Sequence, residues 1–201
     1  MKKIIACWMD LSSPELARVA ARDPVALLPV AAVEQHGPHL PLSTDVTIGA
    51  GIVRAAMEEL RRRDQNVDVL LMPPLALGAS LEHTHFPGTL SLSAEQAIAQ
   101  IVAVGGGAAR AGIRRLLIFN SHGGNRAAID AAALQLRAEW NLLAAKVSYY
   151  RFAVPPDVLG AEELAYGLHG GALETSLMLH LAPGMVHRDA LADFTPLGAR
   201  R

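Results

Sequence analysis

Four short, largely apolar segments are spaced along the chain. They occupy residues 25–33, 67–72, 115–119 and 146–150. Apolar segments of this length, without a clear alternation of polar and apolar positions, are typical of strands that are buried on both faces of a sheet. The pattern therefore predicts four buried strands.

The longer segments between these strands carry apolar residues three or four positions apart, which is the repeat of a helix with one buried face. Helices are predicted over residues 13–21, 48–63 and 126–142. A fourth helix is predicted from Ser93, where Ser-Ala-Glu-Gln has the form of a capping box, and it could run to Ala111 and stop at Gly112. The three glycines at 105–107 have low helix propensity and weaken its second half.

Alternating strands and helices predict an α/β fold of three layers, a mostly parallel sheet with helices on both faces. We expect a single domain over residues 1–201. In open sheets of this kind, ligands bind beyond the carboxyl ends of the strands. Polar clusters that directly follow a predicted strand are therefore the first candidates for a functional site.

The composition fits a soluble enzyme and excludes several other classes of protein. Hydrophobic residues make up 51% of the chain, and the formal net charge is -1 at pH 7. This balance gives no electrostatic reason to expect nucleic acid or an anionic membrane as a partner. Cys7 is the only cysteine, so no internal disulfide forms and a cytoplasmic location is expected.

The densest polar cluster is Glu34-Gln35-His36-Gly37-Pro38-His39, which follows the first predicted strand and is itself followed by Asp45. Side chains two positions apart on an extended segment point the same way, so Glu34 and His36 can reach a single site. Imidazoles and carboxylates are ligands that Zn, Mn and Fe(II) accept. The cluster predicts a metal site, and the alternative is a polar loop that merely ends the strand.

A second cluster, Asn120-Ser121-His122-Gly123-Gly124-Asn125, follows the predicted strand at 115–119. Asn125 is a good N-cap for the next helix, and the glycines let the backbone pass close to a ligand. His122 would then meet the first cluster at the same edge of the sheet. A lone histidine in such a turn is also commonly structural.

A third cluster places His169, Gly170 and Gly171 shortly before Glu174 and an apolar helix predicted over 177–181. Glu174 is either a further ligand or a carboxylate that interacts favourably with the helix dipole. Three clusters of histidine and carboxylate, each at the end of an apolar element, together indicate one composite site.

These clusters resemble the motifs of the creatininase (creatinine amidohydrolase) family. The resemblance rests on residues 34–41 with Asp45, on Glu82-His83 with Phe86-Pro87-Gly88-Thr89, and on the clusters around His122 and His169. It implies hydrolysis of a cyclic or linear amide by a water activated between two metal ions. It also implies a homo-oligomer, such as a hexamer, with a small-molecule amide substrate and neither nucleic acid nor membrane as a partner.

The resemblance further implies a role for each residue. One ion would be held by Glu34, Asp45 and His122, and the second by His36, Asp45 and Glu174, with Zn, Mn or Fe as the two divalent ions per chain. His169 would transfer a proton to the leaving nitrogen, and Glu174 would act beside it in catalysis. Contacts to the substrate would come from a further set of residues: His83, Gly123, Gly124 and Asn125.

The chain departs from creatininase in three respects. Gly124 stands where creatininase has an acidic metal ligand, so the last ligand of the second ion is assigned to Glu174. Creatininase encloses its flat substrate with tryptophans from the later part of its chain, whereas this chain has only Trp8 and Trp140; we therefore expect a substrate other than creatinine. The C-terminus is also shorter than usual for the family.

Two alternatives belong to other functional classes. The first is a non-catalytic protein that keeps the same fold and binds metal or a small molecule without turnover. The second is a flavodoxin-like nucleotide binder, for which the glycines at 123 and 124 are a weak signal. No Gly-x-Gly-x-x-Gly fingerprint follows the first predicted strand.

Overall fold

In the computed structural model, residues 3–152, 157–167 and 169–192 are described. They contain a five-stranded sheet in the order β1-β3-β2-β4-β5, and every pair of neighbouring strands is parallel. The predicted parallel α/β sheet is confirmed, with one edge strand that the apolar pattern did not predict. The strands are β1 (Ile5–Cys7), β2 (Val25–Val30), β3 (Val69–Leu71), β4 (Arg115–Asn120) and β5 (Leu143–Ser148).

The helices cover both faces of this sheet. They are α1 (Ser13–Ala20), α2 (Thr44–Arg62), α3 (Ala94–Arg110), α4 (Arg126–Trp140), α5 (Ala161–Tyr166) and α6 (Ala172–Leu181). One apolar core lies between the sheet and the helices α1, α3 and α4, and a second lies between the sheet and the helices α2 and α6. The predicted three layers are therefore confirmed. None of the helices within the described residues is both long and apolar enough to cross a membrane.

Helix α2 begins at Thr44, four positions before the start that its apolar repeat predicts. The Thr44 hydroxyl donates to the backbone carbonyl of Pro41 at 2.6 Å, and the Thr44 backbone amide donates to the same carbonyl at 3.1 Å. This turn starts the helix with polar residues that the apolar repeat does not register. As a result, Asp45 lies in the first helical turn rather than in a loop.

Helix α3 runs from Ala94 to Arg110, in agreement with the predicted end at Ala111, and it is continuous through the three glycines that lower its helix propensity. A Cβ atom at Gly105 would lie 2.7 Å from Leu136, and one at Gly106 would lie 2.8 Å from Trp140. Both neighbours belong to α4, so the glycines allow the two helices to pack closely. The buried area gained in this contact offsets the propensity cost, which amounts to about 1 kcal/mol per glycine.

Candidate metal centre

The carboxyl ends of β2 and β4 lie side by side, because Val30 pairs with Asn120. Beyond β2 the chain folds into a small hairpin, in which His36 bridges to Leu40 and the Glu34 amide donates to the Leu42 carbonyl at 3.0 Å. Gly37 has a φ of +76° in its turn, a left-handed conformation that suits glycine. The hairpin carries the chain back over the sheet edge and into α2.

One group of donor atoms is formed by Glu34, Asp45 and His122. His122 Nδ1 lies 3.1 Å from Glu34 Oε1 and 3.0 Å from Asp45 Oδ2. The three side chains come from the hairpin, from the first turn of α2 and from the turn after β4. This is the group predicted for the first metal ion.

A second group is formed by His36, Asp45 and Glu174. His36 Nε2 lies 3.3 Å from Asp45 Oδ1 and 3.8 Å from Glu174 Oε2. Glu174 arrives from the first turn of α6. Asp45 therefore presents Oδ2 to one group and Oδ1 to the other, which is the arrangement that a bridging carboxylate requires.

The spacing of these atoms fits metal coordination. A tetrahedral site with ligands at about 2.0–2.1 Å from the ion separates neighbouring ligand atoms by about 3.3 Å. The nitrogen–oxygen distances in the two groups range from 3.0 to 3.8 Å. The donor atoms of each group thus already surround a space of the size that a divalent ion needs.

The same atoms lack other partners. Neither oxygen of Glu34, nor Asp45 Oδ2, nor His36 Nε2 makes a hydrogen bond to any described residue. These three residues are at most 1% exposed. Burying polar atoms without partners is costly, and charged atoms cost most, so the arrangement is explained by an additional group that they bind. Divalent cations match both the charge and the donor types.

Contacts outside the two groups orient the imidazoles. His122 Nε2 donates to the Ala79 carbonyl at 2.9 Å, and Ser80 Oγ lies 3.2 Å from the same nitrogen. His36 Nδ1 donates to the Glu34 carbonyl at 3.0 Å. When each ring is neutral, the nitrogen that faces the carboxylates therefore carries the lone pair that a metal needs.

The buried carboxylates of this centre favour positive charge on the neighbouring imidazoles. Burial opposes protonation of His122, but the nearby carboxylates of Asp45 and Glu34 outweigh it and raise the pKa of His122 to about 11. In the same way, burial is outweighed by Asp45 and Glu174, which raise the pKa of His36 to about 9. The carboxylates thus hold protons on the imidazoles, and a bound divalent ion would replace those protons.

Comparison with known protein families shows to which family the chain belongs. The family model described as creatinine amidohydrolase matches residues 9–201. The chain belongs to the creatininase family. It is 34% identical over 190 residues to the mycofactocin precursor peptide peptidase of Mycobacterium ulcerans (strain Agy99), covering 91% of this chain and 68% of that relative. The predicted creatininase-like hydrolase of amide bonds is therefore confirmed.

Solved creatininase structures share this fold. The crystal structure of creatinine amidohydrolase (creatininase) is 31% identical, with a TM-score of 0.81, and the match covers 98% of this chain and 79% of that one. A manganese form of creatininase is 32% identical, with a TM-score of 0.76, over 97% of this chain and 79% of that one. The manganese of the second structure agrees with the groups of donor atoms described above.

His169 lies at the open side of the centre. Its Nδ1 is 3.4 Å from Glu34 Oε1, its Nε2 donates to the Gln35 carbonyl at 2.6 Å, and its side chain is 31% exposed. The ring stacks between His36, at 4.3 Å, and His83, at 4.1 Å. Burial and the charge of His36 lower the pKa of His169 to about 4, so its imidazole is neutral at pH 7. His83, predicted to bind substrate, therefore lies directly beside the predicted proton carrier.

The residues predicted around His122 have different surroundings. Gly123 is exposed, and a Cβ atom there would meet nothing. A Cβ atom at Gly124 would lie 2.3 Å from the Ala79 carbonyl oxygen, so this glycine permits the contact between the loop and His122. Space at Gly124 is therefore too small for any side chain in this conformation of the loop.

Asn125 is predicted to cap α4 and to contact the substrate, and it does occupy the N-cap position of α4, although by position only. Its side chain makes no capping bond. Instead, Oδ1 accepts from the Ala79 amide at 2.9 Å, and Nδ2 donates to the Ala31 carbonyl at 3.0 Å. The side chain is 1% exposed. It joins three loops of the sheet edge, and this geometry gives no support to a contact with substrate.

Two residues of the site, Tyr149 and Ser80, are not predicted from the sequence. Tyr149, just after β5, donates to Glu174 Oε1 at 3.2 Å, and Ser80 contacts His122 as described above. Tyr149 follows a strand at the same edge as His122, and this position is the signal that could have revealed it. Ser80 lies in a loop with no such periodic signal.

Proposed function

We propose that this chain is an amidohydrolase that uses two divalent ions, Zn, Mn or Fe(II), held by Glu34, His36, Asp45, His122 and Glu174. One observation carries the proposal: two groups of buried donor atoms share Asp45, and several of these atoms have no other partner among the described residues. A purely structural role would not leave such atoms unpaired.

When bound, the ions would supply a water nucleophile at neutral pH and polarise the carbonyl of the amide. The protein residues do the remaining work. Asp45 and the two imidazoles fix the positions of the charges, and Tyr149 and the Gly170 amide orient the Glu174 carboxylate from either side. His169 accepts a proton as water attacks and delivers it to the leaving nitrogen, because its neutral ring faces Glu34 on the open side of the centre.

We propose a linear, peptide-like amide as the substrate rather than creatinine. Trp140 packs against Gly106 and lies beneath the Arg110 guanidinium, and Trp8 packs against the core on the α3 side. Neither indole stands at the metal centre, where a flat ring would have to be enclosed. A formamide or a lactam remains within the predicted reaction class.

Metal analysis of the purified protein, together with a hydrolysis screen, tests this proposal. We expect two ions per chain and faster turnover of a peptide, formamide or lactam than of creatinine. A stoichiometry of one or fewer specifically bound ions contradicts the two-ion site. Efficient creatinine hydrolysis, above every other amide tested, contradicts the substrate assignment. Two bound ions without any turnover would favour the non-catalytic alternative.

Assembly and location complete the proposal. We propose a homo-oligomer in the cytoplasm, because a homo-oligomer is usual in families of this type and the single cysteine suits a reducing compartment. Light scattering on the purified protein measures the oligomer size directly, and a monomer at working concentration would contradict this part of the proposal.

A further inference from the structure

A cavity of about 630 Å³ adjoins the metal centre on the side of β5. Tyr149 and Glu174 line it, and both also belong to the centre through their mutual hydrogen bond. Its other walls include Tyr150, Phe152 and Leu164. The volume lies within the range of sites that enclose a small organic ligand.

Two arginines line this cavity, and neither is paired with an acidic residue in the part of the chain that the structure describes. Arg126 opens α4 and Arg151 follows β5, and both line the cavity. They also line a neighbouring hollow of about 290 Å³. Within the described part of the chain, neither guanidinium has an ion pair or a side-chain hydrogen bond.

The nearby acidic groups are already engaged. Glu163 lines the cavity, but its Oε1 accepts from the Ala172 amide at 2.6 Å and caps the start of α6. Glu174 belongs to the second group of donor atoms. In the neighbouring hollow, Asp130 is paired with Lys146. The two guanidiniums therefore remain available to an anion from outside the chain.

The cavity also exposes apolar surface. Phe152 is 58% exposed and Leu164 is 53% exposed, and both are among its lining residues. Large apolar side chains grouped at an opening beside a reactive centre are typical of ligand sites. The lining thus combines an apolar wall with two unpaired cations.

Building on the proposed function, we propose that this cavity binds the part of the amide substrate that carries an apolar side chain and a free carboxylate, with Arg126 and Arg151 as its carboxylate partners. Guanidinium and carboxylate groups match in geometry and form paired, charge-assisted hydrogen bonds. The C-terminal end of a peptide has this combination of groups. The substrate class is therefore a peptide-like amide whose C-terminus lies close to the cleaved bond.

Binding of two small probes without an amide bond tests the inference independently of turnover. The probes are 3-phenylpropanoate and 3-phenylpropan-1-ol, which differ only in the charged end. Calorimetry on the metal-loaded protein should show at least about tenfold tighter binding of the acid, since hydrogen bonds to charged groups contribute about 1.5–3 kcal/mol. Arg126→Met and Arg151→Met should each remove most of this preference and leave the alcohol unaffected.

Arg137→Met is the matched control, because Arg137 is exposed in the last turn of α4 and lines neither hollow. It should bind both probes as the unchanged protein does. Equal affinities for acid and alcohol, or an acid preference that survives both arginine substitutions, would overturn the inference. The second result would mean that the carboxylate binds the ions instead. Tighter binding of phenyl phosphate than of 3-phenylpropanoate would overturn the carboxylate assignment.

Failure of the proposed function remains distinguishable from failure of this inference. A protein without two bound ions or without turnover refutes the proposed function, whereas the dependence of acid binding on Arg126 and Arg151 is read from the probes alone. Conversely, an active two-ion enzyme that binds acid and alcohol equally refutes only the cavity assignment.

Discussion

The two edges of the sheet hold their carboxylates in opposite ways. At the amino edge, Asp68 Oδ2 accepts from Arg22 Nε at 2.8 Å, and Asp68 Oδ1 accepts from the Ile4 amide at 2.6 Å. At the carboxyl edge, Glu34 is 0% exposed, and neither of its oxygens has a hydrogen bond among the described residues. A carboxylate that is paired with an arginine of the same chain stabilises the fold, whereas one that is buried without a partner is typical of a site that binds a ligand.

The largest expected effect comes from removing the shared carboxylate. Asp45→Asn replaces an anion that serves both groups of donor atoms, so we expect the affinity for both ions to fall by more than about 100-fold and turnover to be lost. Metal titration followed by elemental analysis measures this. Two tightly bound ions in the variant would show that Asp45 does not bridge.

His169→Ala should lower turnover by about 100- to 10,000-fold while both ions stay bound, because a proton carrier is lost but neither main donor group is changed. Added metal should not restore the rate. His169 also forms a third group of possible donors with Glu34 and His36. Loss of an ion from this variant would therefore make His169 a ligand rather than a proton carrier.

Glu174→Gln should weaken one ion only, by about 10- to 100-fold, because a neutral amide replaces one anionic oxygen of the second group. Excess metal should restore part of the activity, and this recovery separates the variant from His169→Ala. Full occupancy by two ions at limiting metal would assign Glu174 to the start of α6 alone, where it interacts with the helix dipole.

The smallest functional effect is expected at the amino edge. Asp68→Asn should leave metal content and turnover unchanged but lower the free energy of unfolding by about 1–3 kcal/mol at pH 7. The hydrogen bond from Arg22 lowers the pKa of Asp68, so its stabilisation is present above the unfolded pKa of about 3.9 and is lost as the pH falls through the folded pKa. The difference between variant and parent in denaturant unfolding should vanish in acid. A difference that persists there would exclude the ion pair as its source.

The contrast between the two edges also explains which residues of the site can be predicted from the sequence. Glu34, His36 and His122 directly follow predicted strands, and the parallel sheet brings such positions together by its topology, so their convergence was predictable. Glu174 followed from the resemblance and from its place before an apolar helix. These signals are local in sequence, so they can be recognised without knowledge of the tertiary packing.

Other features depend on contacts between distant segments. The bond from Tyr149 to Glu174, the role of Asn125 between loops and the continuity of α3 through Gly105 each require a partner that the local pattern does not specify. Propensity and capping rules describe one segment at a time. They therefore place Asn125 at the start of α4 and α3 up to Ala111, but they do not give the side-chain contacts of Asn125 or the stability of α3 across its glycines, which tertiary packing decides.

The close contact between α3 and α4 at the glycines lies at one end of α4, and the metal centre lies near the other end. Gly106 lets Trp140 approach at the far end of α4, and the near end of α4 starts four residues after His122. A methyl group at position 106 would clash with the indole of Trp140 and push the two helices apart. A helix contact about 20 Å from the reactive centre along the axis of α4 therefore helps to fix the position of the turn that carries His122.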